Sequence, residues 1–289
     1  MNPIESLLQT LDLTDTGART EEDIFTGPSQ KMPHGRVYGG QVLAQALTAS
    51  MRTVDEERSV HSMHGYFLRA GDSELPITFA VDRIHDGRSF STRRTQAYQK
   101  GVPILSLIAS FQDEDPGLEH QEDMPRGLPA PEDLPSAAEV LGDLDHPVAR
   151  TWANDRPFDM RHIPSPIYLS VDGEHTDRQA LWIRSTSPLP DSPLLHQAAL
   201  AYASDYSILE PVLRRHGIPW ATPGARIASL DHAMWWHRRA RVDQWLLYVQ
   251  DSPSASGGRG LSRGAFYTRE GSLVASVAQE GMIRIPALR

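Results

Sequence analysis

Cysteine is missing from this chain of 289 residues, and lysine and long apolar runs are scarce. The absence of cysteine excludes disulfides, thiolate catalysis and Cys-ligated zinc, and it is compatible with a reducing cytoplasm. The longest apolar stretch, residues 104–109, is far too short to cross a bilayer. The first residues lack the basic and apolar regions of a secretory signal. We therefore expect a cytoplasmic protein with no membrane span.

The distribution of charge narrows the class of partner. A formal net charge of −9 argues against nucleic-acid binding, because binding to phosphates requires a basic face. Lysine occurs only at Lys31 and Lys100, so nearly every cation is an arginine. This bias is typical of codon usage in a GC-rich genome. The less favoured interpretation is selection for guanidinium groups that grip phosphate or carboxylate.

Residues 113–145 separate two halves of the chain. This segment carries 11 acidic residues and five prolines, a composition typical of a solvated linker. A calcium site here is disfavoured, because no loop of regularly spaced ligands is visible. We predict an N-terminal repeat over residues 1–112, an acidic, proline-rich linker over residues 113–150, and a C-terminal repeat over residues 151–289.

The two halves repeat one pattern of a long helix followed by strands. Helical periodicity covers residues 39–50 in the first half and residues 194–213 in the second, and about four strands follow each helix. Candidate strands at residues 24–27 and 179–185 complete each unit. One helix on a curved antiparallel sheet is an α+β layer, and pairing two such sheets edge to edge removes two exposed edges. The consecutive strands disfavour a doubly wound α/β fold.

Three polar residues of the second half occupy positions where the hydrophobic pattern calls for apolar ones. Asp205 lies on the apolar face of the second predicted helix, and Gln279 alternates in phase with Ala275 and Val277. Ser229 alternates in phase with Ile227, Ala233 and Trp235. Because an unpaired buried polar group costs about 1–3 kcal/mol, three of them pointing inward indicate a built site that holds and polarises a water. Each residue alone is more typical of a satisfied structural group.

Seven motifs of 4 to 12 residues are distributed over the two halves of the chain. In the first half they are Val-Tyr-Gly-Gly-Gln-Val-Leu-Ala-Gln-Ala (37–46), His-Ser-Met-His-Gly-Tyr-Phe-Leu-Arg-Ala-Gly-Asp (61–72) and Asp-Gly-Arg-Ser-Phe (86–90). In the second half they are Tyr-Ala-Ser-Asp (202–205), Ser-Leu-Asp-His-Ala-Met-Trp-Trp-His-Arg (229–238), Trp-Leu-Leu-Tyr (245–248) and Val-Ala-Ser-Val-Ala-Gln-Glu-Gly (274–281). Together they resemble acyl-CoA thioesterase II, a family of double-hotdog enzymes that hydrolyse fatty acyl-CoA.

The resemblance implies a fold, an activity and a set of catalytic residues. The fold would be α+β, a tandem (double) hotdog in which the two sheets pair into one continuous sheet. Asp205, Ser229 and Gln279 match the family's catalytic Asp, its Thr or Ser, and its Gln, and they are the residues that the periodicity singled out. In this mechanism Asp205 would act as general base on a water, while Ser229 and Gln279 would fix the position of that water. No metal and no organic cofactor is implied.

The substrate expected from the resemblance is an acyl-CoA, and several residues are candidates for binding it. Backbone N–H groups at a helix N-terminus, such as those of Gly39 and Gly40, would bind the oxyanion. A few arginines should meet the phosphates of CoA, and a solubility role is equally compatible with each. From their positions in turns and at strand starts, the arginine candidates include Arg88, Arg259 and Arg263. His61 is a further candidate, although a structural role is more typical of such a histidine.

Other functions stay open at this stage. A hotdog enoyl-CoA hydratase or dehydratase usually pairs a histidine with an acid, and no histidine shares the predicted apolar faces with Asp205. A non-catalytic acyl-CoA binding protein is the third candidate. Asp231 and His232 near Ser229 suggest a covalent serine mechanism, but alternation along a strand places Ser229 and His232 on opposite faces.

The first half provides an internal comparison. Laying the two halves on one another places Ala49 at Asp205 and Val60 at Ser229, while Gln112 is a candidate counterpart of Gln279. We therefore predict one active site per chain, in the second repeat. The resemblance also implies a homo-oligomer, a dimer or a tetramer.

Overall fold

The computed structural model describes residues 2–19, 21–142, 145 and 147–286. Within these residues, one antiparallel sheet of thirteen strands forms the body of the molecule. The strands of the first half are β1 (Thr14–Arg19), β2 (Asp23–Gly27), β3 (Ser59–Phe67), β4 (Ile77–Asp86), β5 (Phe90–Gln99) and β6 (Val102–Gln112). Those of the second half are β7 (Phe158–Ile163), β8 (Arg178–Ser185), β9 (Arg226–Ser229), β10 (Asp231–Trp236), β11 (Leu246–Ser256), β12 (Arg259–Thr268) and β13 (Leu273–Arg284).

The order of the strands shows that the second half repeats the first. The sheet runs β1-β2-β4-β5-β6-β3-β10-β13-β12-β11-β8-β7, with β9 paired to β13. Each of the twelve strands on this path therefore has a counterpart at the same distance from the centre. The halves join where β3 pairs with β10, and Met63 lies opposite Met234 at this junction. The two sheets pair edge to edge through β3 and β10, as predicted.

The described helices are α1 (Pro3–Leu11), α2 (Gly39–Met51), α3 (Ala137–Leu141), α4 (Pro147–Arg150), α5 (Pro193–Ser204) and α6 (Glu210–Arg215). Helices α2 and α6 contact the strands on one face of the sheet, and α5 packs on α2. Helix α2 is buried on nearly all sides because it packs against both its own sheet and α5. Fully burying a leucine such as Leu43 or Leu47 contributes about 1.5–3 kcal/mol, so this packing fixes the helix pair firmly. Among the described helices, none is both long and apolar enough to cross a membrane.

The single helix predicted over residues 194–213 is wrong in its middle. Helix α5 ends at Ser204, residues 205–209 form turns, and α6 begins at Glu210. Pro211 stands in the first turn of α6. It has no N–H to bond the carbonyl four residues earlier, and its ring clashes with that carbonyl, so a continuous helix is broken here. Asp205 therefore caps the end of α5 instead of lying within a helix.

A β-bulge at Leu230 changes which side chains of this strand point inward. Ser229 lies opposite Gly281, whereas Ala233 lies opposite Ala278, so one extra residue stands on the β9–β10 side. The extra residue reverses the alternation of faces. Ile227 and Ser229 share the face of Gln279, but beyond the bulge it is His232, Met234 and Trp236 that are buried. The predicted common phase of Ser229 with Ala233 and Trp235 is therefore wrong.

The acidic segment after β6 lies against the second half of the sheet over part of its length. Met124, Leu128 and Leu134 pack on the sheet face opposite the helices, beside Trp182 and Leu247. The indole N–H of Trp182 donates to the carbonyl of Pro129 at 2.9 Å. Apolar residues between the charges thus dock a stretch that composition alone describes as a solvated linker.

Candidate active site

Asp205, Ser229 and Gln279 come together from three separate elements. The Ser229 hydroxyl donates to Oδ1 of Asp205 at 3.1 Å. The Gln279 amide donates through Nε2 to the same oxygen at 3.0 Å and to the Ser229 hydroxyl oxygen at 2.8 Å. Gln279 is 1% exposed, and all three residues line one cavity. The three polar residues that interrupt the hydrophobic pattern are thus mutual hydrogen-bond partners.

The N-terminus of α2 faces the carboxylate of Asp205. The backbone N–H of Gly40 donates to this carboxylate, and the positive end of a helix dipole stabilises a negative charge placed there. A Cβ atom on Gly39 would lie 2.6 Å from Oδ2 of Asp205. A Cβ atom on Gly40 would overlap the carbonyl oxygen of Tyr202. The two glycines therefore permit the close approach of α2 to the end of α5.

The acidity of Asp205 is strongly perturbed. Burial raises the pKa of its carboxyl to about 6, and hydrogen bonds from Gln279, Ser229 and the Gly40 N–H hold the pKa below the value that burial alone would give. Burial disfavours the charged form, whereas donors favour it. The side chain remains partly accessible from the cavity. At neutral pH the group is thus ionised yet has a much higher proton affinity than an ordinary aspartate.

The cavity at this site has a volume of about 790 Å³ and combines an apolar wall with an aromatic cluster. Tyr38 stacks on Tyr206 at 4.7 Å and meets Tyr202 edge-on at 5.1 Å between ring centroids. The Tyr38 hydroxyl donates to the carbonyl of Tyr202 at 2.9 Å. The guanidinium carbon of Arg156 lies 4.6 Å from the ring centroid of Tyr206. The volume and the mixed lining are typical of a small-molecule site.

Several basic side chains also line this cavity. The cations are Lys31, Arg36, Arg69 and Arg156, and His34 lies beside them. Burial and the neighbouring Arg36 lower the pKa of His34. Periodicity does not single out these residues, because the loops that carry them meet only in the folded chain. Arg69 lies within one of the quoted motifs, which is the one signal in the sequence.

The arginines predicted to bind substrate lie elsewhere. Arg259 pairs with Glu280 at 2.9 Å, Arg263 pairs with Asp251 at 2.6 Å, and neither lines the cavity. Arg88 is exposed in the turn between β4 and β5, where its carbonyl accepts from Arg58 at 2.9 Å. A position in a turn indicates exposure, but it does not specify which edge of the sheet the turn occupies.

The remaining candidates are divided between the site and other parts of the sheet. Gly39 lines the cavity, and Gly40 bonds to Asp205. His61 is outside the cavity, where its Nε2 bonds with the Ser110 hydroxyl at 2.8 Å and its ring meets Phe90 edge-on. It occupies a bulge in β3, between Val60 and Ser62.

His232, which strand alternation predicts to point away from Ser229, contacts Gln279. His232 is fully buried, and its Nδ1 makes a short contact with Oε1 of Gln279. The expectation that His232 points to the opposite face from Ser229 is wrong, because the bulge at Leu230 places both on the inner face. The structure shows no hydrogen bond between their side chains, so Ser229 has no imidazole base within its described contacts.

The first half lacks the same polar set. Met63 of the first half corresponds to His232 of the second. Met63 lies opposite Ala109, and His232 lies beside Gln279. The counterpart of Gln279 is therefore Ala109 and not Gln112. Val60 occupies the place of Ser229. The cavity at the related position is smaller, about 280 Å³. Its apolar lining includes Leu8, Leu11, Met51, Leu194, Leu195 and Ala198.

Comparison with known proteins matches both halves of the chain to one enzyme family. Residues 28–112 match the family model described as acyl-CoA thioesterase N-terminal domain. Residues 153–282 match the model described as acyl-CoA thioesterase. Acyl-CoA thioesterase 2 of Haemophilus influenzae is 36% identical over 273 residues, covering 92% of this chain and 94% of that protein. Human acyl-coenzyme A thioesterase 8 is 37% identical, covering 92% of this chain and 86% of that protein.

Solved structures show the same architecture. The acyl-CoA thioesterase II TesB2 of Mycobacterium marinum superposes with a TM-score of 0.77 at 39% identity, covering 98% of both chains. A protein from Alicyclobacillus acidocaldarius described as having a hot dog fold superposes with a TM-score of 0.79 at 19% identity, covering 97% of this chain and 98% of that one. The predicted double-hotdog fold is confirmed.

Proposed function

The chain belongs to the acyl-CoA thioesterase family of thioester hydrolases, and we propose that it cleaves acyl-CoA to a free fatty acid and CoA with Asp205, Ser229 and Gln279 as catalytic residues. The observation that carries this assignment is the hydrogen-bonded set of a carboxylate, a hydroxyl and an amide on the wall of a large, mostly apolar cavity.

In the proposed reaction a water molecule attacks the thioester carbonyl carbon. Asp205 accepts the proton of the water as the new C–O bond forms, and a pKa of about 6 suits this role near neutral pH. The C–S bond then breaks, the thiolate of CoA departs, and the proton held by Asp205 passes to the products. Ser229 and Gln279 position the water, Gln279 indirectly, because its two amide protons fix the carboxylate of Asp205 and the hydroxyl oxygen of Ser229. A water held in line with the carbonyl removes part of the entropic cost of reaction.

The N-terminus of α2 has two functions in this mechanism. Its Gly40 N–H group contributes to holding Asp205 in the ionised form that is needed to accept a proton. The positive end of the same helix stabilises the negative charge that develops on the thioester oxygen. Preorganised dipoles of this kind lower the barrier of acyl transfer.

The cavity lining suggests how each part of an acyl-CoA would be held. Leu209, Val42 and Ile227 give an apolar wall for the acyl chain. Arg36 and Arg69 line the same cavity and offer guanidinium groups to the phosphates of CoA. A negatively charged substrate can thus bind to an acidic protein through a local cationic region.

The hydratase and dehydratase alternative is not favoured by the positions of the histidines. That chemistry usually pairs an imidazole with the acid. His34 lines the cavity, but its described hydrogen bond is to the backbone N–H of Arg36 and not to Asp205. His232 is not among the residues that line the cavity. Its two ring nitrogens face Gln279 and Ser204 instead.

The first test is thiol release from acyl-CoAs of several chain lengths by the wild type and by Asp205→Asn. We expect release by the wild type and a loss of about 100-fold or more in kcat for the variant, the usual scale for removal of a general base. Asp231→Asn is the matched control. Asp231 is two residues from Ser229, its carboxylate accepts the N–H of Glu280 at 2.7 Å, and an asparagine oxygen can accept this bond as well.

The outcomes separate the three candidate functions. Equal activity of Asp205→Asn and wild type would place the catalytic group elsewhere. Hydration of crotonyl-CoA without thiol release would identify a hydratase. Tight binding of acyl-CoA with neither reaction would identify a binding protein.

A further inference from the structure

His232 lies directly behind the proposed catalytic residues. It is 0% exposed and stands on β10, next to the bulge that precedes it. Its Nδ1 contacts Oε1 of Gln279, and its Nε2 lies 3.0 Å from the hydroxyl oxygen of Ser204. Both ring nitrogens therefore have a partner. Of these two partners, Gln279 lines the cavity and Ser204 does not.

The partners determine which ring nitrogen carries the proton. Burial lowers the pKa of His232 to about 4, so the imidazole is neutral at physiological pH and has one N–H. Nε2 of Gln279 donates to Asp205 and Ser229, which leaves Oε1 facing His232. A carbonyl oxygen accepts only, so the proton must be on Nδ1. Nε2 is then an acceptor, and it competes with the carbonyl oxygen of Ala201, at 2.8 Å, for the single proton of the Ser204 hydroxyl.

We propose that His232 is a positioning residue for thioester hydrolysis, because its Nδ1–H fixes the side-chain amide of Gln279 in the orientation that directs both amide protons to Asp205 and Ser229. This inference rests on the proposed function of the three catalytic residues. An amide has two orientations of similar shape. The flipped form would place Oε1 against the carboxylate of Asp205, which repels it, and the amide nitrogen against the imidazole N–H.

The hydrogen bonds form a closed ring that returns to the general base. Gln279 bonds to Asp205, His232 bonds to Gln279, and Ser204 bonds to His232. Ser204 is also the residue next to Asp205 in the chain and the last residue of α5. Tyr248 fixes this point further, because its hydroxyl donates to the Ser204 carbonyl at 3.0 Å. Movement of Asp205 relative to Gln279 would break the bond between these two residues and also the bond between Ser204 and His232.

The first half lacks both the ring and the catalytic residues. By the strand registers, Met63 stands where His232 does and Ala109 where Gln279 does. Phe79 stands where Tyr248 does. An apolar side chain thus fills the corresponding place in the half that lacks the catalytic set, and the imidazole occurs in the half that has it.

The test compares two substitutions that differ in one hydrogen bond. His232→Met copies the residue of the first half and removes the donor, whereas His232→Asn places an amide N–H near the position of Nδ1. For His232→Met we expect kcat to fall about 10-fold or more, on the scale of a lost buried hydrogen bond, with KM little changed. His232→Asn should stay within about 3-fold of wild type by the same argument.

Two further readouts separate positioning from a structural role. In His232→Met the acid limb of kcat/KM should move above pH 6, because the donor that lowers the pKa of Asp205 is no longer held in place. In a Gln279→Ala background, His232→Met should reduce kcat no further, since a residue acting through Gln279 has no effect without it. A purely structural histidine would lower the thermal midpoint in both backgrounds and leave the pH limb unchanged.

The proton position can be measured without any variant. Nitrogen NMR of the histidine-labelled wild type should show the His232 proton on Nδ1. A proton on Nε2 would overturn the inference even if no variant folds, and so would equal kcat values for His232→Met and the wild type. Absence of thiol release by the wild type would instead overturn the proposed function, so the two failures are distinguishable.

Discussion

At the residue scale, the informative feature of the sequence is a set of three polar residues, Asp205, Ser229 and Gln279, at positions where the hydrophobic pattern predicts apolar side chains. Three such residues converge within 3.1 Å of one another, although they are 24 to 74 positions apart in the chain. A buried polar group without a partner is costly, so each of these residues needs a hydrogen-bond partner, and in the structure they satisfy one another. Their role in catalysis stays a proposal.

The raised pKa of Asp205 predicts the pH dependence of the reaction. A general base must be deprotonated to accept a proton, so activity is present above its pKa and is lost as pH falls through it. With a pKa of about 6, kcat/KM should decline below pH 6, about tenfold for each further pH unit. The measurement is thiol release between pH 4.5 and 8.

Circular dichroism over the same pH range is the control, because unfolding in acid would imitate the loss of the base. An acid limb near pH 4, the ordinary range of an aspartate, in a protein that remains folded would contradict the burial of this carboxylate.

At the element scale, the approach of α2 to α5 depends on two glycines. Alanine is normally favoured over glycine in a helix by about 1 kcal/mol, so the contacts of the added methyl group decide the sign. In Gly39→Ala the methyl group meets the Asp205 carboxylate and the ring of Phe67, at 2.6 and 3.2 Å. In Gly40→Ala it meets the Tyr202 carbonyl oxygen, which belongs to the backbone and cannot rotate away.

We therefore expect different failures from the two variants. Gly39→Ala should lower kcat at least about 10-fold with a small change in stability, because it displaces the base. Gly40→Ala should lower stability by about 1–3 kcal/mol, the usual cost of overpacking. Urea unfolding and thiol release measure both effects. Gly117→Ala is the matched control, since a Cβ atom there would meet nothing within 4 Å, and wild-type stability for Gly40→Ala would show that α2 and α5 can separate freely.

Two interruptions of regular elements build the site. The end of α5 at Ser204 places Asp205 against α2, and the bulge at Leu230 brings Ser229 and His232 to one face. Periodicity predicts continuous elements, so it placed both interruptions inside regular runs. Pro211 gave a signal for the first, since proline interrupts helices. The sequence gives no comparable signal for the bulge, because an inserted residue is visible only against its partner strand.

At the scale of the whole molecule, a net charge of −9 coexists with a cationic cavity. Substitution of Arg36 or Arg69 by Gln should raise KM for acyl-CoA several-fold, leave kcat within about 2-fold and reduce the dependence of KM on salt, because exposed charges are screened by ions. The measurement is initial rates at 20 and 300 mM salt.

Arg259→Gln and Arg263→Gln are the matched controls, since each removes the same charge from the same protein outside the cavity. Their KM values should remain near that of the wild type. A larger effect from these two than from Arg36 and Arg69 would place the phosphates of CoA at the sites that turn position alone suggested.

The two halves differ in their polar residues although they share one architecture. The two halves share strand order and helices, but the second half alone combines Asp205, Ser229 and Gln279, while Val60 and Ala109 stand at the first-half positions of the latter two. One active site per chain, the division at residues 112 and 150, and assembly into a dimer or tetramer stay predictions.

The sequence by itself determined the repeated α+β pattern, the absence of thiol chemistry and the three polar residues of the site, because periodicity and composition are local properties of a chain. Only the tertiary structure decided which arginines face the cavity, that His232 stands behind Gln279, and that Gly40 bonds to Asp205. These facts depend on strand register, on a bulge and on the approach of two helices, and each of them is set by contacts between residues far apart in the chain.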